Sequence, residues 1–160
     1  IFESMIIPHL PKESRVWFFG ASRILNNVEV DLLKSDLDAL ISNWKSHGAA
    51  LSAGFEILHE SIVIVAVDQG VESPSGCSID KVFNLMKTQE VDFFNRSLIW
   101  RPYCNTTEIH TIESFKNAFQ HGEIMEDSLV INSMVENLAQ AREQLYVPLY
   151  KHWAFNKIIK

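Results

Sequence analysis

The chain has 160 residues, 47% of them hydrophobic and 21% charged. That is enough for one domain burying roughly 70% of its unfolded surface without a disulfide or a metal. A formal charge of −6, with Lys and Arg dispersed rather than clustered, repels nucleic-acid phosphates and anionic lipid and argues against both as partners. The longest apolar run, residues 62–67, falls far short of the ~20 residues of a membrane-spanning helix, and no charged segment followed by an apolar one opens the chain, so a cytoplasmic protein is expected.

Met5 reads as a natural start, and residues 1–4 are set aside as an expression remnant or a mis-called start. The remainder, 5–160, is expected to form a single domain. Residues 15–20 (RVWFFG) are aromatic and β-branched between Pro11 and Gly20 and predict a strand with Arg15, Trp17 and Phe19 on one face. Over 28–44, Val30, Leu33, Leu37, Leu40, Ile41 and Trp44 keep helical spacing, with Asn26 or Asn27 as cap and Gly48 as stop. Residues 51–58 and 61–68 predict a hairpin around His59 and Glu60, and the run IVIVAV predicts a strand buried on both faces. The loop 70–76 (GVESPSG) leads into a helix from about Ser78, carrying Ile79, Val82, Phe83 and Met86.

Further on, 98–103 predicts a fourth strand, 107–112 alternates weakly, and 114–122 predicts a short helix with a serine cap and a glycine stop. Residues 128–132 read as a strand, 135–145 has mixed periodicity, and Val147-Pro148 interrupts the pattern before an apolar tail with Trp153, Phe155, Ile158 and Ile159. Such a tail docks on its own core, on a second copy in a homodimer, or on a partner. The order β-α-β-β-α-β over 5–104 predicts an α+β fold with a ferredoxin-like core, two helices on one face of an antiparallel sheet, and an α/β extension over 105–160. A different mixed sheet is the alternative.

Four segments, RVWFFGASR (15–23), AVD (66–68), SGCSID (75–80) and DSLVINSMV (127–135), together with Val147-Pro148 and Trp153, resemble a family of small uncharacterised bacterial proteins that carry the label "ABC transporter ATPase". The label implies ATP hydrolysis. The residues do not supply it: no G-x-x-x-x-G-K-[ST] loop is present, and Gly70 to Gly76 is followed by Cys77-Ser78 where a Lys-[Ser/Thr] pair would meet the phosphates.

One candidate site remains. A helix N-terminus presents unpaired N–H groups and partial positive charge, so Ser75, Gly76, Cys77, Ser78 and Asp80, following a strand that ends in Asp68, form a candidate anion contact. The same residues also describe an ordinary capped helix. Cys77 would have its nucleophilic thiolate favoured by the helix end, although an isolated cysteine is usually buried and inert. Catalysis needs a base, and Asp68, Asp80, His47, His59, His110, His121 and His152 are all available without local spacing that selects one.

Ser78 and Lys81 match S-x-x-K, a four-residue pattern that arises by chance when its companion motifs are absent, as here. No H-x-H, H-x-x-x-H or C-x-x-C pairing is present, so neither a metal nor a cofactor is predicted. Trp17 and Phe19 could stack bases on a sheet surface, but core packing explains them better. The expectation is therefore a non-enzymatic domain binding a small anion or a protein partner. A cysteine enzyme built on Cys77 and a structural or assembly role are the alternatives, and both Cys77 and Cys104 are expected as free thiols.

Overall fold

The computed structural model describes residues 5–103 and 105–160. Strand β1 (Arg15–Gly20) is followed by α1 (Asn27–Ser42), a two-residue hairpin β2 (Lys45–Ser46) and β3 (Ala49–Ala50), then β4 (Ala53–Leu58) and β5 (Ile62–Val67). After α2 (Gly76–Lys87) come β6 (Leu98–Tyr103), β7 (Thr106–His110), α3 (Ile112–Gln120), β8 (Leu129–Ile131), α4 (Leu138–Glu143), β9 (Tyr146–Pro148), a 3-10 turn (Leu149–Lys151) and α5 (Phe155–Ile158). The α+β class holds, and no helix among the described residues is long and apolar enough to cross a membrane.

The sheet topology differs from a single ferredoxin-like sheet. Strands order as β1-β5-β4 in one sheet and β7-β6-β8-β9 in another, so the predicted fourth strand leaves its three expected partners. Two features explain this. The outer edge of β1 is covered by the segment before α4: Val16 N–H donates to Glu136 C=O at 2.9 Å and Leu138 N–H to Ser14 C=O at 3.0 Å. Strand β6 also carries apolar groups on both faces, Ile99 toward the first sheet and Leu98 toward α3 and α5, and so needs cover on two sides. Because β6 pairs with both β7 and β8, residues on either side of position 104 share one sheet.

Four layers result. Helices α1 and α2 cover one face of the first sheet through Leu33, Leu37, Val82 and Met86 packed on Phe19, Val63, Val65 and Val67. Its other face, through Val16, Ile62, Ile64 and Ala66, meets Ile99, Ile131, α4 and the N-terminal residues Ile7 and Leu10. Central strand β5 is fully buried along its length, as its uninterrupted apolar run predicts. Beyond the second sheet, Phe115 of α3 and Ile158 of α5 close a third cluster on Leu98 and Val130, so Phe155 and Ile158 of the tail dock on their own chain while Trp153 and Ile159 stay exposed. Phe19 is buried in the first cluster, edge-on to Phe83 at 5.2 Å, and half-buried Trp17 packs against it, so both rings serve core packing.

Local signals explain the boundaries. Asn26 caps α1 in a reciprocal box with Glu29, and the helix ends at Ser42, two residues before Trp44, which turns inward as a core residue. Helix α3 is capped by Thr111 rather than by the predicted Ser114, which is its third residue; both side chains suit a cap, and the chain turns at the earlier one. The β4–β5 connection is one residue longer than the predicted two: His59, Glu60 and Ser61 lie between paired Leu58 and Ile62, with His59 and Glu60 left-handed at φ 53° and 49° and Ser61 N–H donating to Leu58 C=O at 3.1 Å.

Candidate functional site

The start of α2 is built by hydrogen bonds that use up one of its serines. Ser75 caps the helix, its Oγ accepting from Ser78 N–H at 3.1 Å, while Ser75 N–H donates to Ser78 Oγ at 3.2 Å. Ser78 Oγ donates its only proton to Lys45 C=O at 2.7 Å, which leaves Ser75 Oγ as the donor in the 2.8 Å contact between the two hydroxyls. With one bond donated and two accepted, the Ser78 hydroxyl is saturated. It is also buried, at 1% exposure. Ser78 therefore acts as a structural clamp whose hydroxyl has no bond left to offer a ligand, which weighs equally against the S-x-x-K reading.

The same clamp fixes the short hairpin. Trp44, buried beside it, donates from its indole Nε1 to Ser78 C=O at 2.8 Å. Trp44 and Lys45 are thus stapled to the first turn of α2, and the His47-Gly48 turn that joins β2 to β3 stands over the helix end. His47 and Gly48 have φ 50° and 83°, and the glycine meets the left-handed requirement without strain.

Beside the helix end lies an open cavity of about 620 Å³ lined by Lys45, His47, Gly48, Ser75, Gly76, Cys77, Ser78 and Lys81. Its lining includes two lysines and a histidine, and no carboxylate. The first intrahelical bond runs from Ile79 N–H to Ser75 C=O at 3.0 Å, so the Gly76 and Cys77 N–H groups precede the helical ladder. A Cβ built on Gly76 would meet nothing within 4 Å, so the glycine is not demanded by packing and leaves the helix end open.

Cys77 is a free, exposed thiol, which corrects the expectation of a buried cysteine: as the second residue of α2 it precedes the apolar stripe that begins at Val82. Cys104 lies outside the described residues. Asp68 and Asp80 do not join the site. Asp68 Oδ1 accepts from Gly70 N–H at 2.9 Å and shapes the turn after β5, while exposed Asp80 is not part of the cavity wall.

Spatial placement separates the histidines where spacing could not. His59 bonds Tyr146 at 2.6 Å, and His110 lies between Glu108 at 2.8 Å and Ser114 at 2.9 Å. His121 folds onto Asn117 C=O at 2.7 Å. His152 is buried, with burial as the main cause pushing its pKa down. Only His47 of the five shares a cavity with Cys77. Lys45 was missed by sequence reasoning, and His47 stood among five histidines that no spacing selected; Gly48, six residues past the end of α1, reads first as a stop. Among the described residues, no group of three or more His, Cys, Asp or Glu side chains is placed to hold a metal ion. No family model, no curated protein and no solved structure matches this chain.

Proposed function

We propose that the protein binds a small anion, of the size and charge of a phosphate group, in the cavity at the start of α2. One observation carries the reading: in a chain of net charge −6, Lys45, His47 and Lys81 line a concavity with no carboxylate, at a helix end whose Gly76 and Cys77 N–H groups lie ahead of the helical ladder. Helix end and ammonium groups attract the same charge, and the hairpin clamp holds the site in shape before the ligand arrives. Gly76, Cys77, Lys45 and Lys81 are the contact residues, Ser75 caps the helix and Ser78 positions the hairpin.

A second reading rests on Cys77 and His47 lining the same cavity. In it Cys77 Sγ is a nucleophile, His47 takes its proton, and the first-turn N–H groups stabilise the oxyanion. On the resembling segments the chain remains a proposed member of the "ABC transporter ATPase"-labelled family, with no ATP hydrolysis assigned to it.

Alkylation of Cys77 by iodoacetamide, in a Cys104→Ser background with and without inorganic phosphate, separates the readings. Anion binding predicts that phosphate slows labelling of the folded protein. Labelling that is unaffected by phosphate yet fast well below pH 8.5 would favour the nucleophile.

A further inference from the structure

A second cavity, of about 560 Å³, lies on the opposite face of the first sheet, walled by Met5, Ile6, Leu58 and Leu145 and carrying Glu56 and Arg142. Its volume falls in the range of small-molecule sites. The two charged residues are out of place by pattern. On β4 the side chains of Phe55 and Ile57 pack on the α1 and α2 side, so Glu56 points with Leu58 toward the inter-sheet layer. On α4, Arg142 follows buried Ala141 and reaches the N-terminal segment.

Both side chains are half-buried and held in place by Ile7 and its neighbours. Arg142 Nε donates to Ile6 C=O at 2.9 Å, and Nη2 to Ile7 C=O at 2.8 Å and Leu10 C=O at 2.9 Å. These bonds use three of its five N–H donors and leave Nη1 with no partner among the described residues. Glu56 Oε1 accepts from Ile7 N–H at 3.4 Å, and Oε2 has no partner among the described residues. Neither group forms an ion pair there, so their charged atoms stand more than 4.0 Å apart while lining one cavity.

Partly desolvated charges of opposite sign, each without a counter-ion among the described residues, favour a ligand that carries both charges. From this we infer that the cavity binds a free α-amino acid with a large apolar side chain, independently of the anion site on α2. Its carboxylate accepts from Arg142 Nη1, its ammonium donates to Glu56 Oε2, and its side chain lies on Ile6, Leu58 and Leu145. The carboxylate and ammonium sit on one carbon, so one ligand presents both charges to the two residues that line the cavity. His59 and Tyr146 line the same wall and bond each other at 2.6 Å, adding shape and polarity.

The test titrates the whole chain with L-phenylalanine, 3-phenylpropionate and phenethylamine, by calorimetry and by the NMR shifts of Met5, Leu58 and Leu145. Phenylalanine is expected to bind with each half-analogue roughly tenfold weaker or more, because each lacks one charged hydrogen bond. Glu56→Gln, whose amide oxygen still accepts from Ile7 N–H, should erase the preference for phenylalanine over phenylpropionate. Equal binding of phenylalanine and phenylpropionate, or no shift at those residues at millimolar phenylalanine, overturns the inference. The analogue series on the unmodified protein decides the matter if the variant fails to fold.

Discussion

Ser78→Ala tests whether the second serine of the α2 turn is a clamp or a contact. The substitution removes the donor to Lys45 C=O and the acceptor of Ser75 N–H, and it leaves the Ser75 hydroxyl without its proton acceptor. A partner left unsatisfied in a buried site costs about 1–3 kcal/mol, and half a capping box about 0.5–1 kcal/mol, so with overlap between the two roughly 2–3 kcal/mol is expected. For a chain of this length that lowers Tm by roughly 4–12 °C, readable in thermal and urea unfolding followed by circular dichroism. Trp44 is bonded to the same residue, so its fluorescence should report loosening of the hairpin at lower denaturant than global unfolding. A variant as stable as the parent that had nevertheless lost anion binding would refute the clamp and return Ser78 to the ligand.

Three further outcomes follow from the geometry. Gly54→Ala places a Cβ 2.8 Å from Ile7 Cγ2 and 2.8 Å from His9 Cε1, and buried Ile7 cannot yield freely, so a loss of about 1–3 kcal/mol is expected in urea unfolding. His152 donates from Nε2 to Ile131 C=O at 3.1 Å and accepts Ala154 N–H on Nδ1 at 3.1 Å, which requires the neutral ring. Its folded pKa lies below the unfolded value of about 6.5 because burial opposes the charge, so its contribution is complete above that pH and is lost as pH falls below it; His152→Gln should flatten this limb of the stability profile. Glu29 is held down to about 2, first by the Arg23 guanidinium and then by Asn26 N–H, so its contribution is present above the unfolded value of about 4.3 and fades toward pH 2, a limb that Glu29→Gln should remove from acid-unfolding curves.

Much of the local structure was legible because each signal is local. The aromatic, β-branched run of 15–20, the helical spacing from Val30 to Ile41 and the unbroken apolar run of β5 each report what an element must bury, and the structure buries those residues. Pairing was not legible. The assignment of β6 to a second sheet depends on Glu136 and Leu138 reaching back to cover β1, a contact more than 100 residues away in sequence. Ser75 and Gly76 were visible as a helix start, but Lys45 and His47 enter the site only through Trp44 and Ser78, whose bonds join segments some 34 residues apart. Spacing rules do not reach that far. The exposure of Cys77 also depends on where the stripe of α2 begins, one turn later than the thiol.

The most direct test of the anion site is a calorimetric titration with inorganic phosphate at low salt, on the parent chain and on a Lys45→Gln/Lys81→Gln variant. Both lysines are exposed, so their loss should leave Tm nearly unchanged while weakening binding at least tenfold, and added salt should weaken the parent in the same direction. Phosphate binding that persists undiminished in the double variant, or no binding by the parent at millimolar phosphate, would contradict the assignment.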